Sequence, residues 1–375
     1  MKLIPDPREY PKKRLFSLDL LRGLDMFLLT ILGPFVTAGL FTVVTPSESV
    51  RIFWKHSLTS FAGQGVAPTG WGIWDFGQPL FIFVCGAAVP FAIPKRLDEN
   101  GRPTAAFWRH VLGRVAMLWA LGMLIRGILT FDLSKFTPYS DTLQTIAVAY
   151  LGAALAMLIR RAWVRLALAL GLIAVFGVIQ ATCGDYTQFG NVSRIVDERL
   201  FGLIGCHGKD FSYVLTTIVW AAMGILGSLA AELLRSAAPD WTKARQLAVC
   251  GCVSLAAGFL LGIWIPPIRY IYTVSFVFQT LGAAILLLDA LFVLTDIWQL
   301  RRGLGFLLMF GQCSLFCWML STFFRPGLGR IADQVVVGVP RLLGSAALQP
   351  IAYWTVYSLL FAWCVSLWWR LRQKA

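Results

Sequence analysis

The chain of 375 residues is 58% hydrophobic, has a mean hydropathy of +0.70, and carries charged side chains at only 14% of its positions. Soluble domains carry about 25% charged residues, so this composition excludes an ordinary soluble domain and predicts an all-α, polytopic integral membrane protein. The formal net charge of +14 comes from basic residues scattered over many short loops, without a recognised nucleic-acid-binding motif. This dispersal argues against a nucleic-acid partner and favours contact with anionic membrane lipids.

Apolar runs of about 18–25 residues, long enough to cross a hydrocarbon core of about 30 Å, recur along the chain after a short polar tail at 1–14. The sequence predicts ten transmembrane helices in a single domain that covers residues 1–375. Their predicted bounds, in chain order, are 17–43, 77–94, 106–131, 142–159, 163–183, 212–234, 245–265, 271–295, 303–324 and 350–370. An amphipathic stretch at 331–348 leaves an eleventh span open.

Charge predicts the orientation of these helices. Twenty of the 33 Lys and Arg residues fall in the N-terminal tail, the C-terminal end, alternate loops and the adjoining helix ends. The positive-inside rule places that side, and therefore both termini, in the cytoplasm. The longest loops, 44–76, 184–211 and 325–349, then lie outside. The predicted location is the bacterial cytoplasmic (inner) membrane.

The cysteines give one structural option. Cys183 and Cys206 flank the loop 184–211 and have the opportunity to form a disulfide in an oxidising compartment. Cys250 and Cys252 do not have the spacing of a zinc site and have no histidine nearby, so the sequence indicates no metal.

The first predicted helix carries Asp19, Arg22 and Asp25 at spacings of three residues. This spacing keeps the side chains near one face, so Arg22 can pair with Asp19, with Asp25 or with both. Ionisable groups at this depth cost roughly 2.5–3.5 kcal/mol on insertion scales and usually face the bundle interior. Two roles are open for the three residues, an ion pair that holds helices together and a direct part in chemistry.

The loop 44–76 contains His56, one of only three histidines in the chain. Histidine is the commonest general base near neutral pH, although a lone histidine is also a common surface or structural residue. Asp75 can orient the His56 ring or simply cap the helix that it begins. Trp71 and Trp74 can stack on a sugar ring or belong to the aromatic belt of the membrane interface.

Polar residues also occur inside the third and fourth predicted helices. Arg126 lies near the outer end, where Asp132 or Asp141 is expected to neutralise it. Arg114 lies near the inner end and either extends to the headgroups or binds a phosphate. Gln144 requires hydrogen-bond partners if it faces lipid.

Five segments, in order and spread over 14–315, together resemble one family. They are RLFSLDLLRGLDMF (14–27), WDFGQPLFIFVCG (74–86), DTLQTIAVAY (141–150), IPPIRYIYTVSF (265–276) and FGQCS (310–314). The set is similar to that of the heparan-α-glucosaminide N-acetyltransferase family and its bacterial relatives. The chain departs from the family pattern at Thr145, where relatives have arginine, and at Cys313, where they have asparagine.

The resemblance implies a transmembrane acyltransferase that moves an acetyl group from cytosolic acetyl-CoA to a sugar amine or hydroxyl on the far side. The family's catalytic residue is a histidine in the first outer loop, which implies His56, with Asp75 beside it. A glycan acceptor and a homodimer are the expected partners. The alternative is a transporter or glycolipid-handling protein of the same fold without acyl chemistry.

The resemblance also assigns binding residues. Those expected to contact the acceptor substrate are Trp71, Trp74, Gln144, Arg269 and Ser314. Basic residues on the cytoplasmic side suit the phosphates of acetyl-CoA, the expected co-substrate, and the three candidates are Arg96, Arg109 and Arg114.

Overall fold

The computed structural model describes residues 4–5, 15–45, 47, 50, 72–130, 139, 141–203, 214–339 and 348–374. Within these residues the fold is all-helical, and the sole β feature is an isolated bridge between Leu97 and Pro103. The chain divides into two compact units. Unit 1 holds the described residues of 1–56, 72–77 and 290–375, and unit 2 holds those of 78–289. The single-domain interpretation stays a prediction.

The α-helices in the described part of the chain are numbered in order. Helices α1 to α7 are Phe16–Phe27, Ile73–Ala87, Val89–Ala92, Ala105–Ile125, Thr142–Ala156, Ala162–Cys183 and Val192–Gly202. Helices α8 to α14 are Thr217–Arg235, Asp240–Leu261, Val274–Phe292, Gly305–Gln312, Ser314–Phe323, Arg325–Val336 and Gln349–Lys374. Two of the predicted outer loops therefore contain helices, α7 in the second and α13 in the third.

Seven helical stretches of the described chain are long and apolar enough to cross a membrane, or eight if α11 and α12 form one span broken by a 77° bend. These stretches make the chain an integral membrane protein. Two of the predicted spans correspond to less suitable helices, since α4 carries Arg109, His110 and Arg114 and α5 has only 15 residues. The total of ten or eleven spans and the cytoplasmic termini stay predictions.

The first membrane stretch, Phe16–Thr42, does not continue as a regular α-helix after α1. It widens into π-helical turns at Leu28–Leu32 and Phe35–Gly39, on either side of Pro34. Proline has no N–H to donate, which interrupts the hydrogen-bond ladder and accounts for the wider turns. Trp74 at the start of α2 fits against Gly33, where any side chain would overlap the indole ring.

Within unit 1, α1 and α11 approach so closely that their backbones touch. A Cβ atom added at Gly23 would overlap the carbonyl oxygen of Leu307, and one added at Gly311 would overlap that of Asp19. Small residues at such contacts let membrane helices pack tightly, because dispersion rather than water exclusion drives their association. The two glycines therefore define where these helices meet.

At the bend between α11 and α12, side chains of α14 form hydrogen bonds with Gln312. Arg372 donates to the carbonyl oxygen of Gln312 at 2.8 Å, and Trp369 Nε1 donates to the Gln312 side-chain oxygen at 2.8 Å. Carbonyl groups freed by a helix break need such partners when no water reaches them. The C-terminal helix thus stabilises the break.

The start of α1 is capped by a residue from the other end of the chain. The backbone N–H of Ser17 donates to Oδ2 of Asp296 at 3.0 Å, and Asp296 lies in the π-helical turn Val293–Ile297. Arg301 donates to the other carboxylate oxygen at 3.1 Å and lies over the Phe16 ring at 4.8 Å. A carboxylate here satisfies an orphan N–H and complements the positive end of the helix dipole.

Unit 2 is built around α5 and α8, with α4 and α6 packed on them. A Cβ atom at Gly224 would overlap the carbonyl oxygen of Ala149, and one at Gly86 would overlap the carbonyl oxygen of Gly224. Helices α2, α5 and α8 therefore meet through small residues. Beside this contact, the core contains large aromatic side chains such as Trp220 and Phe276, which are 1% and 0% exposed.

We predict that Gly311→Ala lowers the free energy of unfolding by about 1–3 kcal/mol, because the added methyl group overpacks the contact with α1. The measurement is the thermal unfolding midpoint of the purified protein in detergent. Gly327→Ala is the matched control in unit 1, since nothing lies within 4 Å of the position of its Cβ. Equal midpoints for the two variants would contradict the close approach of α1 and α11.

Candidate functional site

Of the residues predicted at the outer site, His56 and Trp71 lie outside the described residues. Asp75 is fully buried, and its Oδ2 accepts a hydrogen bond from the Gly72 N–H at 3.1 Å, across the first turn of α2. Trp74 packs on Gly33. The described geometry therefore gives Asp75 the capping role, and its relation to His56 stays a prediction.

The remaining predicted substrate residues lie in different units. In unit 2, Gln144 is part of a capping box in which its side-chain oxygen accepts from the Asp141 N–H at 3.0 Å. Arg269, also in unit 2, is 6% exposed in the segment between α9 and α10. Ser314 begins α12 at the bend in unit 1 and is half-buried.

The polar residues of α1 separate into a pair and a single carboxylate. Arg22 donates to Asp19 at 3.1 Å, so Asp19 is its partner. Asp25 is fully buried, and neither of its oxygens has a hydrogen-bond partner among the described residues. Of the three pairings that the sequence left open, with Asp19, with Asp25 or with both, the structure shows the one with Asp19.

Four residues form a group at one end of unit 2, here named the basic cluster: Arg96, His110, Arg114 and Tyr150. The Arg114 guanidinium lies over the Tyr150 ring, 4.6 Å from its centroid. Arg96 and Arg114 both interact electrostatically with His110 and with the Tyr150 hydroxyl. His110 and Arg114 are one turn apart on α4, Tyr150 lies on α5, and Arg96 ends the 3₁₀ turn Pro94–Arg96.

The basic cluster is suited to an anion. Among the described residues, neither Arg96 nor Arg114 forms an ion pair with a carboxylate. The Tyr150 hydroxyl and Nε2 of His110 are shielded from water and have no hydrogen-bond partner there. Arg114 itself is exposed, so a ligand can reach it. Two guanidinium groups beside unused polar groups suit the charge and hydrogen-bonding capacity of a phosphate.

The third residue predicted to bind the co-substrate, Arg109, is exposed on α4. It lies one position before His110 and so points about 100° away around the helix. Of the three predicted arginines, the structure thus brings Arg96 and Arg114 together around Tyr150.

Two ion pairs account for other charges of unit 2. Arg165 and Glu232 form a bidentate pair at 2.7 and 2.6 Å between α6 and α8. Arg126 lies 3.4 Å from Asp141 and confirms that this carboxylate is a partner of Arg126. Both ion pairs hold helix ends in place. Neither pair includes a residue of the basic cluster, so they do not neutralise its positive charge.

A second group of polar residues lies outside the membrane stretches, near α7. Asp197 is 1% exposed, and its Oδ1 accepts a hydrogen bond from the Val214 N–H at 2.9 Å, whereas Oδ2 has no partner among the described residues. Burial raises the pKa of Asp197 to about 7. The same carboxyl interacts with Tyr139, which stacks on Trp119 with centroids 5.1 Å apart.

Sequence reasoning missed both Tyr150 and Asp197 as members of these groups. The spacing of His110 and Arg114, four residues apart on a helix, was an available signal for half of the basic cluster. Asp197 has no comparable signal, since its burial depends on how α7 packs.

We predict that the wild-type protein loses thermal stability relative to Asp197→Asn between about pH 4 and about pH 7. The pKa of Asp197 is about 7 in the folded protein, and the unfolded value is about 3.9, so the folded state keeps a proton that the unfolded state has lost. Stability from this group is complete below the unfolded value and is lost as the pH rises through 7. We expect a difference of a few degrees in the unfolding midpoint.

The matched control is Asp185→Asn, because Asp185 is exposed in the segment before α7. This variant should follow the pH dependence of the wild type. A parallel pH dependence for wild type and Asp197→Asn would show that Asp197 does not hold a proton in the folded state.

No protein-family model matches this chain, and no curated protein matches it in sequence.

Proposed function

We propose that the protein is a membrane acyltransferase that moves an acetyl group from acetyl-CoA to a sugar amine or hydroxyl on the other side of the membrane. The observation that carries this proposal is the basic cluster, in which Arg96 and Arg114 flank the hydroxyl of Tyr150 without an acidic partner among the described residues. A buried hydroxyl and two guanidinium groups suit the phosphates of coenzyme A. Loop charges predict that this end of unit 2 is cytoplasmic, where acetyl-CoA is found.

The chemistry requires a base on the acceptor side. The acceptor nitrogen or oxygen bonds to the thioester carbonyl carbon, the carbon–sulfur bond breaks, and the coenzyme A thiolate leaves. His56 is proposed to take the proton that the acceptor loses, either directly or with an acetyl group carried on its ring. Asp75 remains a candidate for orienting His56 in addition to capping α2.

The acceptor is proposed to be a glycan of the cell envelope. Trp71 and Trp74 supply aromatic surfaces of the kind that stack on sugar rings, and Gln144, Arg269 and Ser314 supply polar groups. The proposed setting is the bacterial cytoplasmic membrane with both termini in the cytoplasm, in contact with membrane lipids, and a homodimer is the proposed assembly.

The second candidate function is a carrier or glycolipid-handling protein without acyl chemistry. One observation favours it, the buried carboxylate of Asp25, since ionisable groups inside membrane helices commonly serve coupled transport. Binding of acetyl-CoA separates the two functions because a carrier of this kind has no use for it.

We predict that Arg114→Gln weakens acetyl-CoA binding roughly tenfold to a hundredfold, the loss expected for a charged hydrogen bond to phosphate. The measurement is the Kd of acetyl-CoA for the purified protein. Arg245→Gln is the matched control, because Arg245 is exposed on α9 and belongs to the side that is predicted to be cytoplasmic. Equal effects of the two substitutions would mean that only overall charge matters and would remove the basic cluster as the binding site.

We predict that His56→Ala abolishes transfer while leaving expression and thermal unfolding unchanged. Purified protein is incubated with radiolabelled acetyl-CoA, with and without glucosamine, and label on protein and sugar is counted. His207→Ala, a change at another histidine of an outer loop, should keep wild-type activity. Full activity of His56→Ala would exclude His56 from the reaction, and failure of the wild type to bind acetyl-CoA would favour the carrier.

A further inference from the structure

The carboxyl group of Asp25 is the most isolated ionisable group in the described part of unit 1. It is fully buried within the membrane stretch Phe16–Thr42, and neither oxygen has a hydrogen-bond donor among the described residues. Arg22, three residues earlier, directs its guanidinium to Asp19 instead. Asp25 therefore does not have the Arg22 guanidinium as its countercharge.

The elements packed on α1 bring no charge to Asp25. Helices α11 and α12 contain no Asp, Glu, Lys or Arg, and the titratable side chain of α12 is the thiol of Cys317. The nearby turn Val293–Ile297 contributes Asp296, which is engaged by Ser17 and Arg301.

Other elements of unit 1 that touch Phe16–Thr42 are α14, the start of α2 and the end of α10, where Leu291 packs against Phe16 and Leu20. Asp75 at the start of α2 accepts from Gly72. The titratable groups of α14 are Tyr353, Tyr357, Cys364, Arg370, Arg372 and Lys374. None of these groups forms a hydrogen bond with the Asp25 carboxyl.

We propose that Asp25 binds an exchangeable proton inside unit 1. An unpaired carboxylate in such surroundings costs far more free energy than the neutral acid, which makes the proton the ligand that the site needs. A sodium ion is a poorer fit because hard cations require several oxygen ligands, and the described residues place no hydrogen-bonding oxygen or nitrogen on Asp25. The site is separate from the proposed transfer chemistry and holds for either candidate function.

The backbone that follows Asp25 is irregular, so the proposed proton lies beside a part of the helix that can change shape. The π-helical turn Leu28–Leu32 begins three residues later, and a second one, Phe35–Gly39, follows Pro34. Wide turns of this kind mark places where a helix can change its hydrogen-bond register, and they are frequent at functional sites. Loss of the Asp25 proton would place a charge beside the most adaptable part of the helix.

The experiment uses dicyclohexylcarbodiimide, an apolar reagent that reacts with carboxylic acids that retain their proton in apolar surroundings. The carboxyl oxygen bonds to the central carbon of the reagent, the acid proton moves to its nitrogen, and rearrangement gives a stable N-acylurea with no atom lost. Trypsin cleavage after Arg22 places Asp19 and Asp25 in different peptides, and fragment spectra of the 23–51 peptide distinguish label on Asp25 from label on Glu48, so mass spectrometry of the digested full-length protein assigns the label. The reaction is run over a range of pH in detergent.

We expect the Asp25 peptide to gain one reagent mass, with labelling lost as the pH rises, and the Asp19 peptide to remain unlabelled. Asp25→Asn should lose the label and Asp19→Asn should retain it. If Asp25→Asn fails to fold, peptide mapping of the wild type still decides. Label on the Asp19 peptide instead, or labelling of Asp25 that does not change with pH, would overturn the proposal.

Two further measurements test the remaining alternatives, a sodium site and a carboxylate that stays ionised. Protection of Asp25 by sodium chloride, but not by choline chloride at the same ionic strength, would identify a sodium site and overturn the proton assignment. The infrared difference spectrum between wild type and Asp25→Asn should show the carbonyl band of a neutral carboxylic acid. Carboxylate bands in that difference at every pH tested would overturn the proposal even if the reagent failed to reach the site.

Discussion

Every polar group inside a membrane helix must find its partner within the protein, and this constraint organises the structure. Asp296 caps the first helix, Arg372 satisfies the carbonyl at the bend, and Arg165 and Glu232 neutralise each other. Unsatisfied groups in apolar surroundings cost several kcal/mol each, so these contacts specify the arrangement of helices more than they add net stability. Two of the exceptions among the described residues, Asp25 and the basic cluster, carry the two proposals made above.

The two exceptions differ in chemistry. The basic cluster in unit 2 combines an exposed guanidinium with a buried hydroxyl, an arrangement that suits an anion. Asp25 in unit 1 is closed to water and surrounded by apolar helices, which restricts its ligand to something very small. The two proposals thus assign different ligands, a large anion and a proton, to residues of different units.

Hydropathy predicted the helical class and the approximate place of most helices, because long apolar runs have few other solutions in a membrane. Depth and charge also gave two candidate partners for Arg126, Asp132 and Asp141, and the structure shows Asp141. The sequence could not predict whether Arg22 pairs with Asp19 or with Asp25. Both carboxylates lie three residues from Arg22, so the packing of the helices determines the partner. The bend at Cys313 was equally hidden, because the run 303–324 contains no proline and looks continuous.

The cap on the first helix has a consequence for biogenesis. Ser17 and Asp296 are 279 residues apart, so at ribosomal rates of 5–20 residues per second the helix waits roughly 14–56 s for its partner to be made. The described residues of unit 2 all fall between 78 and 289 and are synthesised before Asp296, whereas unit 1 draws on both ends of the chain. During that interval the N-terminal helix depends on lipid, the translocation machinery or temporary neighbours to shelter its polar groups.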